Sequence, residues 1–319
     1  MIRARADRGA PGARLLSLGA YRPPGTLDSD ELGNRFGRDG EWIRTRTGMN
    51  TRRVALAEQN VEDLAQPAAQ DAISASGLQP DQLDLVVVAS CTVTPPHGIA
   101  GPLASSLGAS HAAALDLNAA CAGFCYSVAV AADAIRAGSA RHVLVVGVEK
   151  MTAWVDPEDL PTSIVFGDGA GATVIGRADE PEIGPVVWGS DGSQAELIHV
   201  ADDQMLRMAG QAVFRWATSD VPPVALEACR RAGVKPADLA AIVPHQANLR
   251  IVDILARKLD APGAAVARDG ADTGNTSAAS IPLALHRMLA DGEVGSGELA
   301  LLIGFGAGLS YAAQVIRIP

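Results

Sequence analysis

An α/β fold is predicted by three observations along the chain. Short β-branched runs alternate with stretches whose apolar residues recur at three- and four-residue spacing. Several runs are continuously apolar, as in parallel strands buried on both faces. The pattern of the first half also returns, faintly, in the second, which points to a duplicated βα unit.

The elements follow in order. The first fourteen residues carry four arginines and read as a loose basic lead-in before Leu15, with no apolar stretch resembling a signal-peptide core. Residues 62–76 have the helical period, and Leu85–Ala89 reads as a strand. Residues 112–117, 143–148 and 172–175 read as further strands, with a helix at 122–137 between the first two. Asp84-Leu-Val-Val-Val-Ala-Ser is echoed by Leu239-Ala-Ala-Ile-Val-Pro-His. Gly167-Asp-Gly-Ala-Gly-Ala-Thr-Val-Ile is likewise echoed by Gly304-Phe-Gly-Ala-Gly-Leu-Ser-Tyr-Ala. Each glycine run reads as a turn before an apolar strand, and the halves join near residues 177–190. Neither run has dinucleotide-fingerprint spacing or opens a helix, so both read as close backbone approach between packed elements.

Composition narrows the function. At 319 residues with 48% hydrophobic content, the chain can bury one large or two medium cores. Its longest apolar runs fall far short of the roughly 20 residues of a membrane-spanning helix, so no membrane association is expected, and the expected location is cytoplasmic. A net charge of −10 argues against nucleic-acid binding, and an acidic partner would need a local basic patch. Four cysteines, Cys91, Cys121, Cys125 and Cys229, are too few and scattered for a disulfide framework and read as single thiols.

Three positions draw chemical attention. Cys121 stands between a strand and the helix that begins near Ala122, where orphan N–H groups would stabilise a thiolate and lower the thiol pKa. A buried cysteine is also an ordinary apolar filler, which is how Cys125, a turn further on, reads. His245 lies in Val243-Pro-His-Gln-Ala-Asn, past an apolar strand and before a helix. Asn275 lies in Thr273-Gly-Asn-Thr-Ser-Ala-Ala-Ser, a turn leading into a helix near Ala278, where a cap or turn role would suffice.

Taken together and in this order, the motifs resemble the thiolase-fold condensing enzymes, specifically ketoacyl synthase III of actinobacterial type. The resemblance rests on Glu41-Trp-Ile-Arg-Thr-Arg-Thr-Gly, Ala119-Ala-Cys-Ala-Gly-Phe, Phe166-Gly-Asp-Gly-Ala-Gly-Ala, Gly210-Gln-Ala-Val-Phe-Arg, Pro244-His-Gln-Ala-Asn, Gly274-Asn-Thr-Ser-Ala-Ala-Ser and Gly304-Phe-Gly-Ala-Gly. It covers nearly the whole chain. It implies duplicated βα halves, residues 1–180 carrying the cysteine and 181–319 carrying the histidine and asparagine, stacked as a five-layered αβαβα sandwich. It also implies a homodimer.

The implied chemistry is a ping-pong condensation. Cys121 takes an acyl group from acyl-CoA, and backbone N–H groups of Cys121 and Ala307 form the oxyanion hole. His245 and Asn275 then stabilise the enolate left when a malonyl group on acyl carrier protein loses CO₂. No metal or cofactor is implied beyond these thioester substrates. Trp42 and Arg46 match the family's CoA site, an indole over adenine and a guanidinium on phosphate. Arg215, Gln246, Arg250, Arg257 and Lys258 are the implied carrier-protein contacts. Of these, Arg250 and Arg257 are seven apart on one helix face, which equally reads as an ordinary solvated face.

The chain departs from the family at Leu160, where many members place an arginine against the adenine, so the donor is either CoA or a carrier protein. The stretches at 90–98 and 198–208, which shape the acyl tunnel in relatives, are slightly short; within the first, Cys91 and His97 read as exposed loop residues rather than pocket lining. Two further readings remain. One is an acyltransferase that delivers the Cys121 acyl group to a hydroxyl, amine or thiol without decarboxylation. The other is a chain-length-factor-like partner subunit, which would not need the cysteine.

Overall fold

The computed structural model describes residues 12–93 and 98–319, so His97 and most of the basic lead-in lie outside the described residues. The strands in chain order are β1 (Gly12–Tyr21), β2 (Gly25–Asp28), β3 (Thr51–Val54), β4 (Leu85–Ala89), β5 (Ala113–Leu117), β6 (His142–Lys150), β7 (Asp168–Ala178), β8 (Val187–Ser190), β9 (Ile198–Val200), β10 (Leu206–Met208), β11 (Ala241–Pro244), β12 (Ala265–Val266), β13 (Leu299–Gly306) and β14 (Ser310–Arg317). Ten of them make two five-stranded sheets, ordered β1-β7-β6-β4-β5 and β12-β11-β13-β14-β8. Counted within its own half, each sheet runs first, fifth, fourth, second, third strand. In each, the first–fifth and fifth–fourth pairs are antiparallel and the other two parallel. The faint sequence echo is therefore a repeated topology. The first sheet ends at Ala178 and the second begins at Val187.

The apolar runs behave as expected of central strands, with Val86, Val87 and Val88 of β4 and Val143 to Val146 of β6 fully buried. Burying each such side chain stabilises the fold by about 1.5–3 kcal/mol. The helices Gly123–Arg136 and Ser280–Ala290 fill the space between the sheets and are apolar nearly all round, as a doubly covered helix must be. Val61–Ser76 covers the outer face of the first sheet, and Val221–Ala232 with Leu249–Leu259 covers that of the second. Layers of helix, sheet, helix, sheet and helix result.

The glycine runs differ from expectation. β7 already begins at Asp168, so Gly169 and Gly171 sit inside a strand and not in a turn. A Cβ on Gly171 would lie 2.8 Å from Pro282, so the bare backbone lets helix Ser280–Ala290 settle onto the sheet. Gly304 and Gly306 likewise lie in β13, and the turn follows at residues 307–309. Close approach is what both runs provide. Among the described residues, no helix is long and apolar enough to cross a membrane.

Candidate active site

Cys121 is reached from β5 through a single 3₁₀ turn, Ala120–Ala122, before helix Gly123–Arg136. Ala120 is held at φ 45°, a left-handed conformation a non-glycine residue adopts only under constraint. This turn presents the thiol to a cavity of about 590 Å³ instead of burying it like Cys125. A Cβ on Gly306 would stand 2.7 Å from Cys121 Cβ and 2.9 Å from Sγ, so the end of β13 passes directly against the nucleophile. Ala307 follows on the cavity wall, and the Ser310 hydroxyl is shared between the carbonyls of Ala119 (3.1 Å) and Ala307 (2.8 Å), clamping the two segments together.

The expected lowering of the thiol pKa is not what the resting site provides. Burial pushes Cys121 up to about 12, outweighing the lowering influence of the nearby Ser277 hydroxyl, so the cysteine is held as a thiol.

His245 closes β11, its backbone N–H donating to the Ile303 carbonyl at 2.7 Å. The ring stands edge-on to Phe305 at 5.3 Å, and burial lowers its pKa to about 3, so the imidazole is neutral. The Ser280 hydroxyl has one hydrogen and two acceptors in reach, His245 Nδ1 at 2.7 Å and the Ser277 carbonyl at 2.8 Å. When it points to Nδ1, the ring's own proton sits on Nε2 and is offered to the cavity. Asn275 is fixed by its backbone to Val165 and Gly167, and its Oδ1 accepts from the Ser277 N–H at 2.8 Å. That bond orients the amide so that its NH₂ end remains for a ligand. Cys121, His245, Asn275 and Ala307, the predicted catalytic set, thus line one cavity.

The predicted binding residues divide. Arg46, Arg215 and Arg250 rim the cavity, while Arg257 lies with Arg250 in a shallow neighbouring basin. Lys258 is exposed, its Nζ donating to the Thr218 carbonyl at 2.8 Å. Gln246 is a correction: it is fully buried, and its amide is spent on the Pro244 and Ala267 carbonyls and the Gly270 N–H, so it faces no partner. The Arg46 guanidinium lies 3.9 Å from the centroid of the Trp42 ring, the surface assigned to adenine, so a nucleotide there would displace it. Leu160 packs in the same apolar cluster as Trp42. Cys91 is a second correction: it is half-buried and lines the cavity, because its N–H and thiol both turn inward to Glu149.

Several residues escaped the sequence reading. Arg52, fully buried, donates to the Ile164 carbonyl and the Ser29 hydroxyl and so pins the wall formed by Ile164, Val165 and Phe166. Glu149, fully buried at the end of β6, gathers donors from two segments that line the site, residues 90–92 and Ser277. An acidic residue directly after the apolar run 143–148 was the available signal.

Known proteins match this arrangement throughout. Residues 115–192 match the family described as 3-oxoacyl-[acyl-carrier-protein (ACP)] synthase III, and residues 229–318 match its C-terminal counterpart. The chain is 47% identical to beta-ketoacyl-[acyl-carrier-protein] synthase III 4 of Streptomyces coelicolor, over 97% of this chain and 99% of that protein. It superposes on the priming beta-ketosynthase of the R1128 polyketide pathway with a TM-score of 0.95 and 44% identity, covering 99% of both chains. On the 3-oxoacyl-[acyl-carrier-protein] synthase III of Aquifex aeolicus the TM-score is 0.91 at 37% identity, covering 96% and 100% of the two chains.

Proposed function

The chain belongs to the 3-oxoacyl-[acyl-carrier-protein] synthase III family, and on that footing we infer that it joins an acyl starter to a malonyl unit by decarboxylative condensation. The observation that supports this most directly is the convergence of a thiol, a neutral imidazole and an oriented amide on one largely apolar cavity.

In the first half-reaction Cys121 Sγ attacks the acyl thioester. The acyl C–S bond of the donor breaks, a thiol departs, and an acyl-Cys121 thioester remains, with the N–H groups of Cys121 and Ala307 assigned to the tetrahedral oxyanion. In the second, malonyl thioester loses CO₂, and its electron pair becomes an enolate. Enolate oxygen is the natural ligand for Nε2–H of His245 and Nδ2–H of Asn275. Both are uncharged donors in a largely apolar pocket, where such bonds are stronger than in water. The enolate carbon attacks the Cys121 thioester, a C–C bond forms, and the cysteine is released with a 3-oxoacyl product. An acyltransferase without decarboxylation would need no such paired donors.

The starter unit would enter past Arg46, Arg215 and Arg250, where a pantetheine arm could thread to Cys121 and the guanidiniums meet phosphate. Arg257 and Lys258 extend the basic rim on which acyl carrier protein would dock in an otherwise acidic molecule. A homodimer fits the fold as well. β5 is the outer strand of its sheet, with Ala113 to Asp116 exposed, so an identical strand could continue the sheet in a second copy. The test of the function is whether Cys121 acquires an acyl group from acyl-CoA and yields it to malonyl carrier protein.

A further inference from the structure

Arg52 is a cation whose buried partners are all neutral. Its side chain is fully buried, and its hydrogens go to a carbonyl and a hydroxyl. Nε (3.1 Å) and Nη2 both donate to the Ile164 carbonyl, and Nη1 donates to Ser29 Oγ at 2.7 Å. Burial lowers its pKa to about 10, so at neutral pH it is still charged. Taking a guanidinium out of water with no carboxylate bonded to it is costly, and an apolar side chain of similar length would fill the space without that cost. Stability is therefore a poor account of this arginine, and geometry is a better one.

That geometry ends at Asn275. The stem of Arg52 runs beneath Gly274, where a Cβ would stand 2.8 Å from Arg52 Cγ and 3.0 Å from the Val165 carbonyl oxygen. Gly274, at φ 73°, is the residue just before Asn275. At its other end the guanidinium holds the Ile164 carbonyl, and the carbonyl of the next residue, Val165, accepts the Asn275 N–H at 2.9 Å. The Gly167 N–H donates to the Asn275 carbonyl at 3.1 Å, which completes an isolated parallel bridge between Phe166 and Asn275. One side chain thus supports the residue before Asn275 and fixes the segment to which the Asn275 backbone is bonded.

The neighbours of Arg52 act on the same turn. The Asn50 N–H donates to the Ala271 carbonyl and the Thr51 hydroxyl to the Asp272 carbonyl, each at 2.7 Å. Three consecutive residues of the first half therefore hold the turn of the second half that carries Asn275. The guanidinium is itself braced, because Ser29 Oγ gives its own hydrogen to the Met49 carbonyl at 2.7 Å and so can only accept from Arg52. Cys121 is set by other contacts, the end of β13 at Gly306 and the Ser310 bond to the Ala119 carbonyl.

We propose that Arg52 is a positioning residue for Asn275: by gripping the Ile164 carbonyl and underlying Gly274, it sets where the Asn275 amide stands to receive the enolate. It serves the second half-reaction and not the first. The inference rests on the condensation inferred above, and the experiment distinguishes the two.

Both half-reactions are measured separately on the full chain. Acylation of Cys121 is followed by intact mass with whichever of acetyl-, butyryl- and isobutyryl-CoA labels wild type fastest, at saturation. Decarboxylation is followed as CO₂ release from malonyl carrier protein. Arg52→Met keeps the stem and strands no counter-charge. It should acylate at close to the wild-type rate yet release CO₂ roughly 10²-fold more slowly, the effect of about 1 Å of misplacement. In an Asn275→Ala background the same change should remove no more than about a further factor of two, because the two residues act as one unit. Arg52→Lys keeps one donor for the Ile164 carbonyl and should fall between wild type and Arg52→Met, so it carries the test if Arg52→Met does not fold. A merely structural arginine would slow both half-reactions together, or add its loss in full to that of Asn275→Ala; either result would overturn the proposal. Wild type that acylates but releases no CO₂ would overturn the condensing reading itself, and this role of Arg52 with it.

Discussion

At the scale of single residues, His245 couples the site's chemistry to the stability of the fold. Its pKa is depressed from 6.5 to about 3 by burial alone, so the folded protein holds it neutral where the unfolded chain would protonate it. The sign follows by linkage. Above pH 6.5 neither state binds the proton, and the contribution of this group is fully present. As pH falls from 6.5 toward 3, the unfolded state gains a proton that the folded state refuses, and stability is lost. Urea midpoints measured across that interval should fall more steeply for wild type than for His245→Asn; parallel slopes would show that the imidazole is not so buried. The catalytic residues were legible because they stand in ordered motifs, each at a strand-to-helix junction. Glu149, Arg52 and the inward turn of Cys91 were not, because each is defined by partners more than fifty positions away along the chain. The thiol pKa was misjudged for a related reason. A helix N-terminus is visible in sequence, whereas the desolvation that outweighs it depends on the closing of β13 over the cysteine.

At the scale of elements, the end of β13 governs the nucleophile. Gly306 has its side-chain direction pointed straight at Cys121, so a methyl group there must move the thiol or the strand. Gly306→Ala should therefore fold, since one strand end can shift locally, yet lose acylation by about 10²-fold, the cost of roughly 1 Å of misplacement. The check is the rate of acyl-adduct formation by intact mass alongside a thermal melt; normal acylation would show that β13 does not set the thiol. The glycine motif was rightly read as close approach and wrongly as a turn. The sequence shows that a side chain is missing, but which neighbouring helix or cysteine needs the space depends on the assembled layers.

At the scale of the whole molecule, two sheets of the same topology enclose the helix that begins at the cysteine turn, and the cavity opens where the halves meet. Each half supplies what the other lacks: the first the thiol, the second the imidazole and amide. The outer strand β5 is left exposed, with Leu115 41% accessible at its centre. Leu115→Glu should convert a dimer to monomer in analytical ultracentrifugation, and an unchanged sedimentation coefficient would place the contact elsewhere. The duplication was faintly legible in the paired motifs; the exposure of β5 was not, because a strand sequence does not reveal whether it lies at an edge.

The central claim is that Cys121 carries the acyl group and that His245 and Asn275 drive decarboxylative condensation onto it. Its most direct test is intact-mass spectrometry of the full chain with a panel of acyl-CoAs, followed by malonyl carrier protein, with Cys121→Ala alongside. An acyl adduct absent from the variant, then discharged as a 3-oxoacyl carrier product with one CO₂ released per turnover, is the predicted result. An adduct on Cys121 that malonyl carrier protein never discharges would contradict the account and leave a simple acyltransferase in its place.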